Sequence, residues 1–135
     1  MEGFPVSVPV QVRFRDLDAL GHVNNAVYLT YFEVARSAYF ARLEPDWVAQ
    51  GHFLLARAEV DFRRPVHLED RVEVGVRVVR LGRSSFDMEY LLLANGEEAA
   101  RGRTVQVWLE GGRPAPLPEA MRRRIEELEG RPLAL

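Results

Sequence analysis

The sequence predicts an α+β domain in which one antiparallel sheet of about five strands wraps around a single long central helix. One stretch with the 3.6-residue period of a helix follows the first strand. Four stretches with the two-residue alternation of strands come next, joined by hairpin signals. Strands joined by tight turns run antiparallel, and a sheet needs cover on at least one face, so the helix is expected to lie against the sheet.

Length and composition limit the classes of function. The 135 residues have the size of one domain, spanning 1–135, and the net charge of −2 gives no electrostatic basis for binding nucleic acid. All eighteen basic residues are arginine and cysteine is absent, which excludes lysine Schiff-base chemistry, a thiol nucleophile and disulfides. No apolar run could span a membrane and the N-terminus has no signal-peptide pattern, so we expect a soluble cytoplasmic protein.

The first strand is predicted over residues 4–15, and a polar loop follows it over residues 16–24. Pro5 and Pro9 cannot donate to a strand ladder, which favours an irregular start or a sheet edge. The alternation places these apolar residues on one face: Phe4, Val6, Val8, Val10, Val12 and Phe14.

The long helix is predicted over residues 25–43, a length of about 28 Å at 1.5 Å per residue. Asn24 or Asn25 is the predicted N-cap, Pro45 is predicted to end the helix, and residues 46–50 to form a short turn. The helix is apolar around most of its circumference, so we expect it to be buried by the sheet. Its apolar stripe contains Tyr28, Tyr31, Ala35, Ala38 and Tyr39, widened by Val27, Phe32 and Val34.

Four further strands are predicted over residues 53–63, 71–81, 84–94 and 97–109. Gly82-Arg83 and Asn95-Gly96 predict the hairpins between the last three, and Gly111-Gly112 ends the final strand. A short C-terminal helix is predicted between Pro118 and a stop at Gly130. In each of the first three of these strands, alternate apolar residues are predicted to share one face and point inward. These inward sets are Ala56, Ala58, Val60 and Phe62 in the first strand, Val72, Val74, Val76 and Val78 in the second, and Phe86, Met88, Tyr90 and Leu92 in the third.

The polar loop before the long helix contains the residue types that perform chemistry. Asp16, Asp18, His22, Asn24 and Asn25 lie within ten positions. Asp18 can cap a turn or act as a general base or nucleophile, and His22 can be structural or assist it. A helix N-terminus leaves N–H groups unpaired and positively polarised, so it can hold the oxygen of a tetrahedral intermediate.

No metal site is predicted at this loop. It contains one imidazole, His22, because His52 and His67 lie far away in the sequence, and there is no cysteine.

A site for phosphate is indicated only by side chains near strand ends, since no P-loop or dinucleotide-binding glycine pattern is present. Arginines suit phosphate geometry but are otherwise solvated surface charges. The candidates are Arg57, Arg63, Arg64 and Arg83, with Ser84 and Ser85 as further donors.

The run from Asp16 to Arg36, D-x-D-x-x-G-H-V-N-N-x-x-Y-x-x-Y-x-E-x-A-R, resembles the hotdog-fold acyl-CoA thioesterases of the 4-hydroxybenzoyl-CoA thioesterase type. The segment F-x-x-P-x-x-x-x-D, formed by Phe62, Pro65 and Asp70, and the order of elements agree with that family. The resemblance covers roughly residues 6–120. It implies hydrolysis of an acyl-CoA to free acid and CoA, and no cofactor beyond that CoA. It also implies a homodimer that pairs into a dimer of dimers.

The resemblance also implies roles for individual residues. The catalytic carboxylate of that family falls on Asp18, and the backbone N–H that polarises the thioester carbonyl falls on Asn25. A catalytic histidine of plant acyl-carrier-protein thioesterases matches His22, and Asp16 is expected to be structural. The chain departs from its relatives at Asn25, where some bacterial members place a catalytic histidine, and at Leu20, where the plant enzymes have asparagine. Residues expected to contact substrate are Asn24, Tyr28, Arg57, Arg64, Arg83, Ser84 and Ser85.

Two alternative functions suit the same fold. A non-catalytic acyl-CoA-binding module would use the same cleft and release no thiol. A hotdog hydratase acting on acyl thioesters would need a histidine arranged with Asp or Glu, and the motif does not show that arrangement. A thioester is already activated, so one carboxylate and an oxyanion site suffice for hydrolysis, which favours the thioesterase.

Overall fold

The computed structural model describes residues 1–43 and 53–133. The elements are β1 (Val6–Val10), a 3-10 turn (Phe14–Asp16), α1 (Val27–Leu43), β2 (Phe53–Phe62), β3 (Val72–Leu81), β4 (Ser85–Ala94), β5 (Glu97–Glu110), β6 (Arg113–Pro114) and α2 (Glu119–Glu129). The predicted helix end at Pro45 and the turn at 46–50 lie outside the described residues. The strands form one antiparallel sheet in the order β1-β3-β4-β5-β2, with the short β6 paired to β5. The α+β prediction is confirmed, and the two-residue β6 adds a sixth strand.

Strands β3 and β4 form the centre of the core, as their alternation predicts. Their two inward sets, from Val72 to Val78 and from Phe86 to Leu92, are all buried. Asn95 and Gly96 have φ values of 53° and 82°, the left-handed conformation that a two-residue type I′ hairpin requires. None of the helices in the described part of the chain is long and apolar enough to cross a membrane.

Helix α1 lies on one face of the sheet and is buried on one side only. It begins at Val27, two residues after the predicted start. Leu29 and Val34 are 38% and 45% exposed, so placing Val34 on the buried stripe was wrong. The sheet covers one side of the helix, and the opposite apolar side faces outward. The buried residues are Tyr28, Tyr31, Phe32, Ala35, Tyr39, Phe40 and Leu43.

Strand β1 is shorter than the alternation predicts. It ends at Val10, and Phe14 belongs to the 3-10 turn, where its side chain is 80% exposed. Phe4 is buried, but on the outer face of the sheet, where a Cβ on Gly75 would overlap its ring. The Arg77 guanidinium lies 4.6 Å from the centre of the same ring. The single inward face predicted for residues 4–15 was therefore wrong at both ends.

Strand β2 is an edge strand with apolar residues exposed along it. It pairs with β5 on one side, and no described residue pairs with its other edge. A bulge between Leu55 and Arg57 removes Ala56 from the predicted inward set. Leu54, Leu55 and Phe62 are 53%, 43% and 45% exposed. A ten-residue edge of this kind is normally covered in a stable protein.

Helix α2 is anchored through one carboxylate at its C-terminal end. Oε2 of Glu129 accepts the Tyr39 hydroxyl at 2.5 Å and the Val78 N–H at 2.9 Å, which joins α2 to α1 and β3. Burial and the Glu129 carboxylate both raise the pKa of Tyr39 above its usual range. Gly130 follows at φ 76°, which confirms the predicted helix stop.

Candidate active site

The loop between β1 and α1 folds as a miniature hairpin that presents Asp18 and His22. Leu17 and Val23 form an antiparallel bridge, and the Asp18 N–H donates to the His22 carbonyl at 2.8 Å. Gly21 lies between them at φ 81°, in the left-handed region that favours glycine. The position of both candidate side chains is therefore set by backbone hydrogen bonds.

Asp16 ties this loop to α1. Its side chain is buried, and Oδ2 accepts the Tyr31 hydroxyl at 2.6 Å and the Arg13 N–H at 3.0 Å. The Arg13 guanidinium contacts Oδ1 at 3.2 Å. Burial alone would raise the pKa of Asp16, but these donors outweigh it and hold the pKa below its ordinary value. Asp16 has the structural role expected of it.

Asp18 is exposed, and its two carboxylate oxygens differ in their surroundings. Oδ1 accepts the Leu20 N–H at 2.9 Å and the His22 N–H at 3.3 Å. Oδ2 accepts no hydrogen bond from the residues that the structure describes. The side chain therefore caps the turn with one oxygen, as its structural interpretation predicts, and keeps the other available for chemistry.

The hydrogen bonds at the start of α1 show which of the two predicted N-cap residues caps the helix. Oδ1 of Asn24 accepts the Ala26 N–H at 2.9 Å, and its carbonyl accepts the Val27 N–H at the same distance. Asn24 therefore caps the helix. The neighbouring Asn25 is exposed, and its N–H donates to none of the atoms in residues 1–43 and 53–133. That N–H is a free donor at the positively polarised end of the helix.

These residues surround one open cleft of about 390 Å³. The Tyr28 ring forms a buried wall and packs edge-on against Phe62, with ring centres 5.0 Å apart. Burial raises the pKa of Tyr28 above its ordinary value of 10.0. The structure thus brings together six of the predicted candidates, which are Asp18, His22, Asn25, Tyr28, Arg63 and Arg64. The lining residues are Asp18, Leu20, His22, Val23, Asn25, Tyr28, Phe62, Arg63, Arg64 and Pro65.

Apart from Asn24, which lies between the lining residues Val23 and Asn25 in the chain, the remaining predicted contacts lie away from this cleft within one chain. Arg57 projects from the outer face of β2, where it pairs with Glu59 at 2.5 Å. Ser85 faces Val107 of β5, whereas Phe62 faces Ala100, seven positions along the same strand. At about 3.3 Å per residue, the 83–85 hairpin is roughly 23 Å from the cleft end of the sheet. Their substrate-binding roles remain predictions.

His67 is a neighbour of the site that the sequence did not indicate. Its ring lies against the ring of His22, with centres 5.0 Å apart and planes at 89°. The Val23 N–H donates to the Val66 carbonyl at 2.8 Å and so joins the two loops. Residues 45 positions apart in the chain give no periodic or spacing signal of such a contact. His52 lies outside the described residues.

The family follows from comparison of the whole chain. Residues 12–125 match the family model described as the thioesterase-like superfamily. The chain belongs to this superfamily. The expectation of a hotdog acyl-CoA thioesterase is confirmed, and the sheet wrapped around one helix is the fold of its structural neighbours.

Two known proteins, one a solved structure and one a curated sequence, are similar to this chain over most of its length. The crystal structure of a thioesterase from Thermus thermophilus, complexed with coenzyme A and zinc, is 68% identical with a TM-score of 0.95, covering 98% of this chain and 100% of that one. A 1,4-dihydroxy-2-naphthoyl-CoA hydrolase from Synechococcus elongatus is 32% identical over 82% of this chain and 87% of its own. Within residues 1–43 and 53–133 of this thioesterase, no group of three or more His, Asp or Glu side chains could hold a metal ion.

Proposed function

We propose that this thioesterase hydrolyses acyl-CoA with Asp18 as the reacting carboxylate and the start of α1 as the oxyanion site. The observation that carries the proposal is that Asp18, His22 and Asn25 line one cleft. A carboxylate oxygen and a backbone N–H, both without partners among the described residues, are the two groups that thioester hydrolysis requires.

Two chemical routes use the same Oδ2 atom of Asp18. In the first, Oδ2 removes a proton from water, and the water oxygen attacks the thioester carbon. In the second, Oδ2 attacks that carbon to form a mixed anhydride, which water then hydrolyses. In both, the carbonyl oxygen becomes negative and accepts the Asn25 N–H, the C–S bond breaks, and the CoA thiolate leaves and takes up a proton. The products are a carboxylic acid and CoA.

His22 supports this carboxylate in the proposal. The backbone N–H of His22 donates to Oδ1 of Asp18, and the ring of His22 lines the cleft. A ring in this position can orient the attacking water or the carboxylate. Asn24 acts through the helix start that it caps, and Tyr28 walls the acyl end of the cleft. Arg64, also in the lining, pairs with Glu97 and can redirect its guanidinium to a CoA phosphate.

We further propose a homodimer formed by the free edges of two β2 strands. That strand exposes apolar residues, and Leu29 and Val34 of α1 are exposed apolar residues as well. A two-fold axis perpendicular to the sheet pairs the strands antiparallel, keeps both helices on one face, and buries these residues in both copies. The outer face of the sheet, which no described helix covers, is the surface proposed for pairing of dimers.

Because acyl-CoA is an intracellular metabolite, the proposed location is the cytoplasm.

Antiparallel pairing would also complete the substrate site. The 83–85 hairpin lies at the Phe53 end of β2, since Phe53 faces Trp108 and Ser85 faces the adjacent Val107. The partner's Phe53 end would lie beside the cleft end of the first copy. The distance from the cleft end of β2 in the first copy to β4 of the partner would then be three strand spacings, about 14 Å at 4.8 Å each. That end of the partner's β4 carries the partner subunit's Arg83, Ser84 and Ser85. That separation suits the phosphates of a CoA whose thioester lies at Asp18.

An Asp18→Asn variant tests the proposal, because the amide keeps the Oδ1 acceptor and loses the reactive carboxylate. Hydrolysis is followed by trapping released thiol with short, long and aromatic acyl-CoAs. We expect kcat to fall by about 10²–10⁴-fold with unchanged thermal unfolding. A Glu127→Gln variant, at an exposed position on α2, is the matched control. Hydrolysis by Asp18→Asn at the parental rate would contradict the mechanism. Tight binding of acyl-CoA without thiol release by the parental protein would instead show the binding module.

A further inference from the structure

The ring contact between His22 and His67 gives the site a component outside the catalytic motif. His22 lines the cleft, whereas His67 is absent from the lining and touches His22 from behind. The perpendicular geometry, with 5.0 Å between ring centres, is that of a favourable edge-to-face pair.

The position of His67 is itself fixed by a short turn. Oδ2 of Asp70 accepts the His67 N–H at 2.8 Å and lies 3.6 Å from the Nδ1 atom of the same residue. Oδ1 of Asp70 accepts the side-chain amide of Asn95 at 3.0 Å, which anchors the turn to the β4–β5 hairpin. Burial would raise the pKa of Asp70, but these hydrogen bonds lower it, so the carboxylate stays charged and keeps its partners.

The backbone holds the two histidine loops together independently of their rings. The Val23 N–H donates to the Val66 carbonyl at 2.8 Å, and Val23 and Val66 are both buried. Loss of the His67 side chain therefore leaves the loops joined and removes the surface against which the His22 ring rests, together with the contact between Nδ1 and Asp70. The side chain of His67 is 49% exposed, so its replacement does not create a buried cavity.

We propose that His67 is a positioning residue, which acts by holding the His22 ring in the orientation that serves Asp18. This proposal rests on the proposed role of His22 in hydrolysis. An edge-to-face pair contributes about 0.5–1.5 kcal/mol beyond its buried area, so its loss corresponds to roughly a two- to twelvefold change. The effect is expected in kcat rather than KM, because His67 does not line the cleft.

The test is a double-mutant cycle of His22→Ala and His67→Ala, assayed by thiol release. We expect His67→Ala to lower kcat about two- to twelvefold with little change in KM, and to have no further effect in the His22→Ala background. His67→Phe keeps an aromatic edge and should restore most of the activity. Leu68→Ala, at an exposed position on the same loop, is the matched control and should resemble the parent.

The outcomes separate this inference from the proposal on which it rests. If His22→Ala is impaired and His67→Ala is not, the positioning role is wrong and the catalytic proposal stands. The role is also wrong if His67→Ala lowers kcat equally in both backgrounds, or if His67→Phe fails to restore it. Parental kcat in His22→Ala would overturn the role of His22 itself. Thermal unfolding of each variant identifies a loss caused by misfolding, and in that event His67→Phe alone decides the question.

Discussion

The hydroxyl of Tyr31 donates a 2.6 Å hydrogen bond to Oδ2 of Asp16, while the equivalent oxygen of Asp18 accepts none from the described residues. Two carboxylates only two positions apart therefore have opposite environments. Asp16 is buried and saturated with donors, which suits a residue that fixes the loop to the helix. Asp18 is exposed and has one oxygen available.

The contrast predicts that Asp16→Asn lowers stability more than it lowers the catalytic step. The amide cannot accept from Tyr31 and Arg13 as a carboxylate does, and its NH₂ group is left facing donors. The expected loss in the free energy of unfolding at neutral pH is about 1–3 kcal/mol. Urea unfolding at a fixed protein concentration measures it, with Asp18→Asn expected to stay near the parental value.

The difference in the free energy of unfolding between the parental protein and Asp16→Asn should depend on pH. The pKa of Asp16 is lower in the folded protein than its ordinary value of 3.8, so its contribution is present above that value. It is lost as the pH falls from that value through the lower, folded pKa, because the unfolded chain takes up the proton at a higher pH than the folded protein does. The stability gap between the parental protein and Asp16→Asn should therefore shrink between neutral pH and about pH 3. A gap that stays constant over this range would contradict the assignment.

Gly102 is predicted to be a packing requirement of the sheet beneath α1. A Cβ on this residue would overlap the Phe32 ring, which stacks on Tyr90 with ring centres 4.6 Å apart. We expect Gly102→Ala to destabilise the fold by about 1–3 kcal/mol through overpacking. Adding Phe32→Leu should make room and recover part of that loss. If the two changes add without compensation in urea unfolding, the overlap is not the cause.

Local patterns predicted the central strands well because the information lies in adjacent residues. Alternating side chains specify the inward faces of β3 and β4, and Asn95-Gly96 has the backbone preference that its turn needs. The same patterns failed at Phe14, since the 3-10 turn ends the alternation, and at Phe4, which crosses to the outer face to cover Gly75. Both errors arise where tertiary packing overrides a periodicity.

The candidate site was predictable where its residues share one loop and not where they meet through the fold. The motif placed Asp18, His22 and Asn25 together, and one cleft contains all three. His22 meets His67 where a backbone hydrogen bond from Val23 to Val66 joins two loops that are distant in the sequence. No local pattern encodes such a bond, because it depends on how the strands are ordered in the sheet.

The free edge of β2 predicts an assembly that one charge can disrupt. Leu55 is 43% exposed in a single copy, so Leu55→Arg should leave the isolated fold intact but place a charge in the proposed dimer contact. We expect a smaller species in sedimentation and a loss of most thioesterase activity. Ala120→Arg adds the same charge at an exposed position on α2 and should alter neither. A Leu55→Arg protein of parental size and activity would exclude this interface.

The antiparallel pairing further predicts that Arg83 serves the Asp18 of the other subunit. Asp18→Asn and Arg83→Glu should each impair the homodimer, the first in kcat and the second mainly in KM for CoA esters, because one charge-assisted phosphate contact is lost. Both variants can be co-expressed in equal amounts. Half of the dimers are then mixed, and in each mixed dimer one site combines an unmodified Asp18 with an unmodified Arg83.

Activity of the mixture therefore distinguishes the two arrangements. If Arg83 acts across the interface, kcat/KM should rise to about a quarter of the parental value, since one site in two is intact in half of the dimers. If Arg83 acts within its own chain, each mixed dimer has Asp18→Asn in one site and Arg83→Glu in the other. The mixture would then give no more than the average of the two separate variants. Mixing the purified homodimers without subunit exchange provides that baseline, and a co-expressed sample that matches it would refute the shared site.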